Sequence, residues 1–449
     1  MYPVGNPLIF PSVTGLQNKE KPSKLTTQSE MDRSLQTKLF NDPVHGFISV
    51  PKGILLQLID HPAVQRLRRI RQLGFGYLVY PAAEHSRFSH ALGAMELGQR
   101  VLQHLLLRDT TISQKELEGT LIAILLHDIG HGPFSHALEH TLIQDFDHEM
   151  MSLAIMERLN KEFDGGLTTA IQIFRNQYSK SFLHQLISSQ LDIDRLDYLK
   201  RDSFFTGVSE GSVGINRILK TMRVHKGSIV IEKKGIYAVE NYILSRRFMY
   251  MQVYLHKTVL SADILLRQIM RRVRDLIQRD AAPLLPSISL GYFLTDYPSA
   301  SKQLTEEIID HYMLLDDHDV LQSVKAWSQE KDPILRDLSQ RFLNRTLPRT
   351  TFLKRKLKPQ QKEELADKTF KLLKKQGVIQ QKEDAKYYLS FNQSFSEAYR
   401  YEHEGIWILE DNQTAIEFSK ASDSKHIMAL TKPVIRPYCV HLKGVEIKE

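Results

Sequence analysis

Cysteine is nearly absent: Cys439 stands alone among 449 residues. A single thiol excludes an internal disulfide and fits a reducing cytosol, so a cytoplasmic protein is expected. Long apolar runs are missing as well. No stretch reaches the roughly 18 residues that mark a spanning helix, so no membrane partner is expected. The first residues, MYPVGNPLIFPSVTG, carry no basic leader ahead of an apolar segment and do not read as a signal peptide. No internal repeat is visible. Residues 1–35, rich in Pro, Gly, Ser, Thr and Lys, lack periodicity and are expected to form a flexible arm.

What is present is ordinary in amount and unusual in placement. Hydrophobic residues make up 42% and charged residues 25%, as in a globular protein, and the length implies more than one domain. A formal net charge of +8 favours anionic partners, whether nucleotides or nucleic acid. The composition changes at the AAPLLP stretch after residue 280. The expected division is therefore a core over 36–280 and a C-terminal α+β lobe over 281–449. Within that lobe, residues 344–375 are strongly basic, a feature that nucleic-acid binding would also use.

In chain order, KLFNDPVHGFISV at 38–50 reads as strand, turn and strand. A helical pattern begins at Pro51, with Leu55, Leu58 and Ile59 on its apolar face. Residues 64–74, VQRLRRIRQLG, keep helical spacing with four arginines on the other faces, as a solvated basic helix does. HSRFSHALG opens a helix running to about Arg108, with His90 in its first turn. Next comes LIAILLHDIGHGPFSH at 121–136, an apolar helix ending in His127-Asp128 and broken at Gly130, Gly132 and Pro133. A further helix is expected from Ser135, and another from His148 with an aspartate N-cap. Asp192, Asp194, Asp197 and Asp202 crowd the helix-like SSQLDIDRLDYLKRD at 188–202, where Asp194, Asp197 and Tyr198 share one face. Taken alone, these carboxylates are equally compatible with surface ion pairs. A hairpin at 227–237 and one long helix from Val239 to about Arg279 complete the core.

An adjacent imidazole and carboxylate at the end of a buried helix need partners, and a metal ion satisfies both. His90, His127, Asp128 and Asp194 fall on three helical segments. Two neutral imidazoles and two carboxylates suit a divalent first-row metal (Fe, Mn, Co, Ni or Zn) with positions left for water and substrate.

With NDPVHG, QRLRRIRQLG, HSRFSHALG, LLHDIGHGPFSH, DIDRLDYLKRD and YLHK in this order, residues 38–260 resemble the HD-domain phosphohydrolases. The similarity is to their deoxynucleoside triphosphate triphosphohydrolase branch. It implies a mainly α fold, a helical HD core with short β-hairpins and a smaller α+β C-terminal lobe. It also implies hydrolysis of a deoxynucleoside triphosphate to deoxynucleoside and inorganic triphosphate, with Mg or Mn accompanying the substrate. Carried over by residue, His90, His127, Asp128 and Asp194 are the expected metal ligands. His131, His136 and His148 lie beside the α-phosphate, His136 as the acid with Glu139 orienting it. Arg87, Arg195, Arg246 and Lys257 bind phosphate oxygens, and Tyr198 belongs with them. Gln72 and Asp202 bond the sugar 3′-hydroxyl, while Leu73 and Tyr254 crowd the 2′ position. Lys38, Asp60, Gln65, Arg68 and Arg217 match a nucleotide effector pocket, although Glu232 stands where an effector-binding arginine is expected. The resemblance also implies a homo-oligomer, dimer or tetramer. No Gly-Tyr-Pro sequence accompanies the His-Asp pair, which disfavours a cyclic-dinucleotide phosphodiesterase.

Overall fold

The computed structural model describes residues 37–300, 304–400, 405–411, 414–424, 427 and 431–447, with the side chain of His136 outside the described set. The arm expected over 1–35 lies outside it too. The chain opens with an antiparallel hairpin, β1 (Thr37–Asp42) and β2 (Gly46–Pro51). Asp42 closes its turn by accepting from the main-chain N–H groups of Val44 and His45, both at 2.9 Å. Helix α1 (Ile54–Asp60) buries Leu55, Leu58 and Ile59, starting three residues later than the pattern from Pro51 suggested.

The basic helix expected over 64–74 does not form. A single α-turn (Pro62–Gln65) passes into a 3-10 turn (Arg66–Arg69), and Ile70 is extended. Strand-like pairing ends it: Arg87 N–H bonds Ile70 O at 2.9 Å and Gln72 N–H bonds His85 O at 3.0 Å. Nor are all the arginines solvated. Arg66 is buried and donates to Leu315 O at 2.8 Å and Ile129 O at 3.3 Å.

Helix α2 (Arg87–Leu106) starts at Ser86, whose side chain accepts from Ser89 N–H. Helix α3 (Gln114–Leu126) starts with a Ser113/Glu116 capping box and is buried without interruption from Gly119 to Leu126. The two pack together and deliver His90 and His127-Asp128 to one place. The helix expected from Ser135 is only a 3-10 turn (Ser135–Ala137) followed by four α residues (Glu139–Leu142). Helix α4 (His148–Glu162) begins, as expected, with Asp147 accepting from Glu149 N–H. Helix α5 (Ile193–Thr206) has Asp192 as its N-cap and a left-handed Gly207 at its end.

The hairpin expected at 227–237 sits earlier: β3 (Met222–His225) pairs with β4 (Ser228–Glu232) around Lys226 and Gly227, both at positive φ. The long helix beyond it is two helices, α6 (Ile236–Met249) and α7 (Lys257–Ile277). A π-helical segment (Tyr250–Tyr254) follows α6, and the His256 ring caps α7 by accepting from Thr258 N–H at 3.1 Å. Helices α8 (Asp317–Trp327), α9 (Pro333–Leu343) and α10 (Pro359–Lys375) follow.

The C-terminal strands are β5 (Arg349–Phe352), β6 (Ser390–Ser396), β7 (Trp407–Leu409), β8 (Ala415–Glu417) and β9 (Val434–His441). They form a β5-β9-β6 sheet and extend the earlier hairpin into β3-β4-β7-β8, with β7 parallel to β4. One apolar core runs from Ile48 to Val445 and crosses residue 281 without a break. The architecture is thus mainly helical, with an α+β C-terminal lobe, as expected. Among the described residues no helix is long and apolar enough to cross a membrane.

Candidate metal and phosphohydrolase site

Three helix ends converge on a cavity of about 580 Å³. His90 Nε2, His127 Nε2 and Asp194 Oδ1 form a triangle with sides of 3.4, 3.1 and 3.4 Å. Asp128 adds its two oxygens, Oδ1 3.5 Å from His127 Nε2 and Oδ2 3.6 Å from His90 Nε2. Ligands bonded at about 2.1 Å to one first-row cation stand about 3 to 3.6 Å apart, so His90, His127 and Asp194 fit such an ion, while Asp128 stands beside them and groups with His131 and His148. The tautomers agree. His90 Nδ1 donates to Asp197 Oδ2 at 2.8 Å and His127 Nδ1 donates to Ile124 O at 2.6 Å. Carboxylates and carbonyls only accept, so both Nε2 lone pairs face the cavity.

The charges explain the titration. Burial opposes a charge on His90, yet its hydrogen bonds to the Asp194 and Asp197 carboxylates outweigh it and push its pKa up to about 10. Burial alone would raise Asp128, but His127, Arg87 and His131 hold it well below the usual carboxylate range. Asp194 is depressed by His127 and His90 in spite of its burial. A cation held by this group would replace the imidazolium charge that the carboxylates otherwise favour.

Asp197, noted in the sequence only for sharing a face with Asp194, is the hub behind the candidate metal ligands. It accepts from His90 Nδ1, from His45 Nε2 at 2.6 Å, and from Arg201 Nε at 2.8 Å and Nη2 at 3.0 Å. Arg201 Nη1 also donates to Asp42 Oδ2 at 2.8 Å, which ties the NDPVHG turn to the site. The hub fits only because residue 93 of α2 is glycine. A Cβ there would lie 2.0 Å from Arg201 Nη2 and 2.2 Å from Asp197 Oδ1.

Beyond the metal ligands, the rings of His131 and His148 stack with centroids 3.9 Å apart. His131 Nε2 lies 3.3 Å from Asp128 Oδ1. His148 Nδ1 donates to Glu139 Oε1 at 2.6 Å. The environments separate the pair. Burial and Arg87 press His131 well below the ordinary imidazole value, whereas Glu139 and Asp128 raise His148 against the effect of its burial. The two rings are shifted in opposite directions, His131 towards the neutral form and His148 towards the charged one. The side chain of His136, the expected acid, lies outside the described residues.

The turn carrying these groups is held from the far side of the molecule. Phe134 and Ser135 are both left-handed at φ 53°, a costly conformation for side-chain-bearing residues. Asp317 accepts from Phe134 N–H at 2.7 Å and from Arg71 N–H at 3.1 Å. Tyr312 O–H donates to Gly130 O at 2.8 Å. Gly130 admits no side chain, since a Cβ would meet His148 O at 2.2 Å and Ser152 N at 2.3 Å.

Of the other residues singled out, Gln72, Leu73, Arg87, Arg195, Tyr198, Asp202 and Tyr254 line the cavity. Arg87 donates to Asp128 and, at 2.9 Å, to Ser135 Oγ. Arg195 bonds Asp192 and Ser189 O, and its Nε is buried without a partner among the described residues. Arg246 is buried behind the cavity wall, its Nη1 3.4 Å from Gln190 Oε1. Lys257 is exposed in the first turn of α7 and does not line the cavity. Asp202 accepts from Tyr254 O–H and from His85 Nε2, both at 2.8 Å. His85 lay inside a quoted motif and was not singled out, because its spacing marks no helix face. Lys38 pairs with Asp60 at 3.4 Å and Arg68 donates to Gln65 Oε1 at 2.8 Å on the surface, while Arg217 bonds Lys234 O instead. Glu232 pairs with Arg223 and Lys234.

Sequence and structure comparisons locate the chain among known proteins. A family model described as an HD domain matches residues 87–202, and one described as an HD associated region matches 213–285. The uncharacterized protein YwfO of Bacillus subtilis is 38% identical over 321 residues, covering 70% of this chain and 71% of that protein. The deoxynucleoside triphosphate triphosphohydrolase SAMHD1 of Bos taurus is 28% identical over 321 residues, 61% of this chain and 53% of that one. The match thus spans only about half of that relative. The crystal structure of a phosphohydrolase from Bacteroides thetaiotaomicron has a TM-score of 0.86 at 39% identity, covering 91% of this chain and all of that one.

Proposed function

The chain belongs to the HD-domain family, and on that premise we propose that it hydrolyses deoxynucleoside triphosphates to deoxynucleoside and inorganic triphosphate. In this reaction water adds to the α-phosphorus, the bond from that phosphorus to the sugar 5′-oxygen breaks, and the 5′-oxygen takes up a proton. One observation carries the reading. A single cavity joins a metal-competent His/Asp cluster and a stacked histidine pair to a wall that carries Gln72, Asp202 and Tyr254. On that wall Gln72 has a buried Oε1 with no partner among the described residues, and Asp202 is locked to Tyr254. The name of the bovine relative agrees with it.

His90, His127, Asp128 and Asp194 would hold one divalent metal, which supplies Lewis-acid polarisation of the phosphoryl group and activation of water. The remaining steps belong to side chains. Arg195, next to the phosphate path, offers its buried Nε to the triphosphate. His148, kept charged by Glu139, holds a proton that can pass to the 5′-oxygen directly or through His136. His131, kept neutral, stacks against it and fixes its plane. Gln72 and Asp202 take the 3′-hydroxyl. Tyr254, bonded to Asp202, and Leu73 both line the cavity, and as a wall against a 2′-hydroxyl they would select deoxynucleotides. The surface pairs Lys38–Asp60 and Gln65–Arg68 are the proposed nucleotide effector site, and assembly of two or four copies there completes it.

The test is a product assay with Mn²⁺ or Mg²⁺ and each of the four deoxynucleoside triphosphates, alone and in pairs. Deoxynucleoside and tripolyphosphate appear in equal amounts. Release of phosphate or pyrophosphate instead assigns the chain another phosphohydrolase reaction, and intact nucleotides in every arm refute the proposal.

The charged state of His148 makes turnover pH-dependent. Its folded pKa is raised, so the protonated form is complete below the ordinary imidazole value and is lost as pH rises through the raised one. Glu139→Gln removes the carboxylate responsible and moves the alkaline limb of kcat to lower pH. Each unit of downward shift lowers the rate above that limb about tenfold. The stability contributed by the pair follows the same direction, present at low pH and lost as pH rises. An unchanged pH–rate profile in the variant removes His148 from the proton transfer.

A further inference from the structure

The formal net charge of +8 is not spread over the molecule. Residues 344–375 hold eleven Lys and Arg against three Asp and Glu, a surplus of eight, so the rest of the chain carries 49 of each sign. All eleven basic side chains of the segment are exposed. Lys354 apart, none of them forms an ion pair among the described residues. Exposed lysines elsewhere do so, Lys38 with Asp60, Lys233 with Glu410 and Lys234 with Glu232.

The fold holds the segment in place and leaves its charges outside. Arg345 Nε and Nη2 donate to Leu78 O at 3.1 and 2.8 Å, Thr350 O–H donates to Lys257 O at 2.8 Å, and β5 pairs with β9. Helix α10 buries Leu365, Thr369 and Leu373, a stripe at a spacing of four. By the same geometry Lys368, Lys371 and Lys375 stand together on one flank of that stripe. Glu363 and Asp367 fall on the other flank, where Lys382 pairs with both. Only Glu364 remains among the lysines. Lys354, Arg355, Lys356 and Lys358 add four charges in the loop that leads into the helix. Like charges this dense repel one another in the free protein, and a polyanion turns that repulsion into attraction.

We infer that this face binds the phosphate backbone of a nucleic-acid duplex without reading its sequence. Eight of the eleven cations are lysines, point charges that suit phosphate, whereas base edges are read mainly by the planar forks of Arg, Asn and Gln. Single strands are gripped by exposed aromatic rings on which bases stack. The two aromatic residues of the segment are half-buried, Phe352 against the Tyr438 ring and Phe370 beneath Lys374 Nζ at 5.3 Å. A lipid surface is held by apolar side chains inserted beside the basic ones, and no large apolar residue of 344–375 is exposed. A duplex needs neither device. The three lysines of the α10 flank span about 10 Å of helix axis, along which a duplex presents one phosphate charge per about 1.7 Å.

The test is fluorescence anisotropy of the full chain with a labelled DNA duplex of about 30 base pairs, in two unrelated sequences. Both sequences bind alike, and affinity falls about a thousandfold between about 50 and 200 mM salt, as about six phosphate contacts require. Lys368→Gln/Lys371→Gln/Lys375→Gln weakens both duplexes equally and lowers the salt slope by about three. Lys354→Gln/Arg355→Gln/Lys356→Gln, in the loop, repeats the measurement without touching the helix. The exposed control Lys52→Gln/Lys115→Gln/Lys220→Gln loses the same charge elsewhere and binds as the parent does. Melting curves confirm that all three variants are folded. Binding by both segment variants equal to that of the control overturns the inference, and so does tighter binding of the corresponding single strand. Adsorption to phosphatidylserine-containing vesicles with no binding of duplex assigns the face to a membrane surface and overturns it as well. Every arm reads binding rather than turnover, so the result is independent of the nucleotide that the cavity takes.

Discussion

Asp194→Ala lowers turnover by on the order of a thousandfold and leaves a folded protein. The Asp194 carboxylate completes the triangle with His90 Nε2 and His127 Nε2, and its other bonds are few. Its removal takes one anionic ligand from the proposed cation site, and several kcal/mol of Lewis-acid stabilisation, each 1.4 kcal/mol being about tenfold in rate, gives the size of the loss. Asp128→Ala removes a ligand too, but it also strips the buried Arg87 of its carboxylate, which confuses lost chemistry with lost structure. Asp194 lies in the first turn of α5, where losing a carboxylate costs only about 0.3–1 kcal/mol through the helix dipole. Metal content and turnover are measured on the same preparation, together with melting with and without chelator. The unaltered protein loses about 2.7 kcal/mol of stability on chelation if it is purified at a hundredfold excess over its metal Kd. The variant shows no chelator-dependent shift. Full turnover from a variant that retains no metal would disprove the role assigned to the cluster.

Asp197→Asn is expected to be the most destabilising substitution near the site, by about 3–5 kcal/mol. Asp197 and Arg201 are both fully buried, and the carboxylate receives four hydrogen bonds from three side chains. Asparagine preserves the shape but removes the charge. Arg201 then depends on Asp42 alone. The asparagine N–H₂ also faces a donor, either Arg201 or a ring nitrogen of His45 or His90, whichever way the amide turns. His90 loses the acceptor that fixes its tautomer, and a lost partner of this kind lowers metal affinity about 10- to 100-fold. Urea unfolding of the metal-free protein isolates the stability loss, and metal titration isolates the affinity loss. A variant within 1 kcal/mol of the parent would show that the buried network contributes little to folding.

The contrast between these two aspartates shows how far the sequence could be read. His127-Asp128 stands out because two polar residues end an apolar helix. His90 and Asp194 emerge only when combined with that pair and the motif order. Asp197, three residues from Asp194, looks in the sequence like any acid on a charged helix. What distinguishes it is the space opened by Gly93 on a different helix. Arg66 is hidden among three other arginines for a similar reason. The chain changes from α to 3-10 geometry at that residue, and the angular spacing that marks a solvated face no longer applies. The break between α6 and α7 leaves no mark in the periodicity, because both sides favour helix. The π segment and the His256 cap between them are local hydrogen-bond choices that periodicity does not encode. Asp317 carries no signal at all, since its partners lie 183 and 246 residues away.

That last contact bears on what can be exchanged between proteins of this family. The segments matched by the two family models, 87–202 and 213–285, end before Tyr312 and Asp317, yet these two side chains hold the left-handed turn that follows His131. The two family models therefore leave out side chains on which the site depends. An HD segment grafted without the 312–317 stretch keeps its candidate metal ligands and loses the grip on the turn that follows His131.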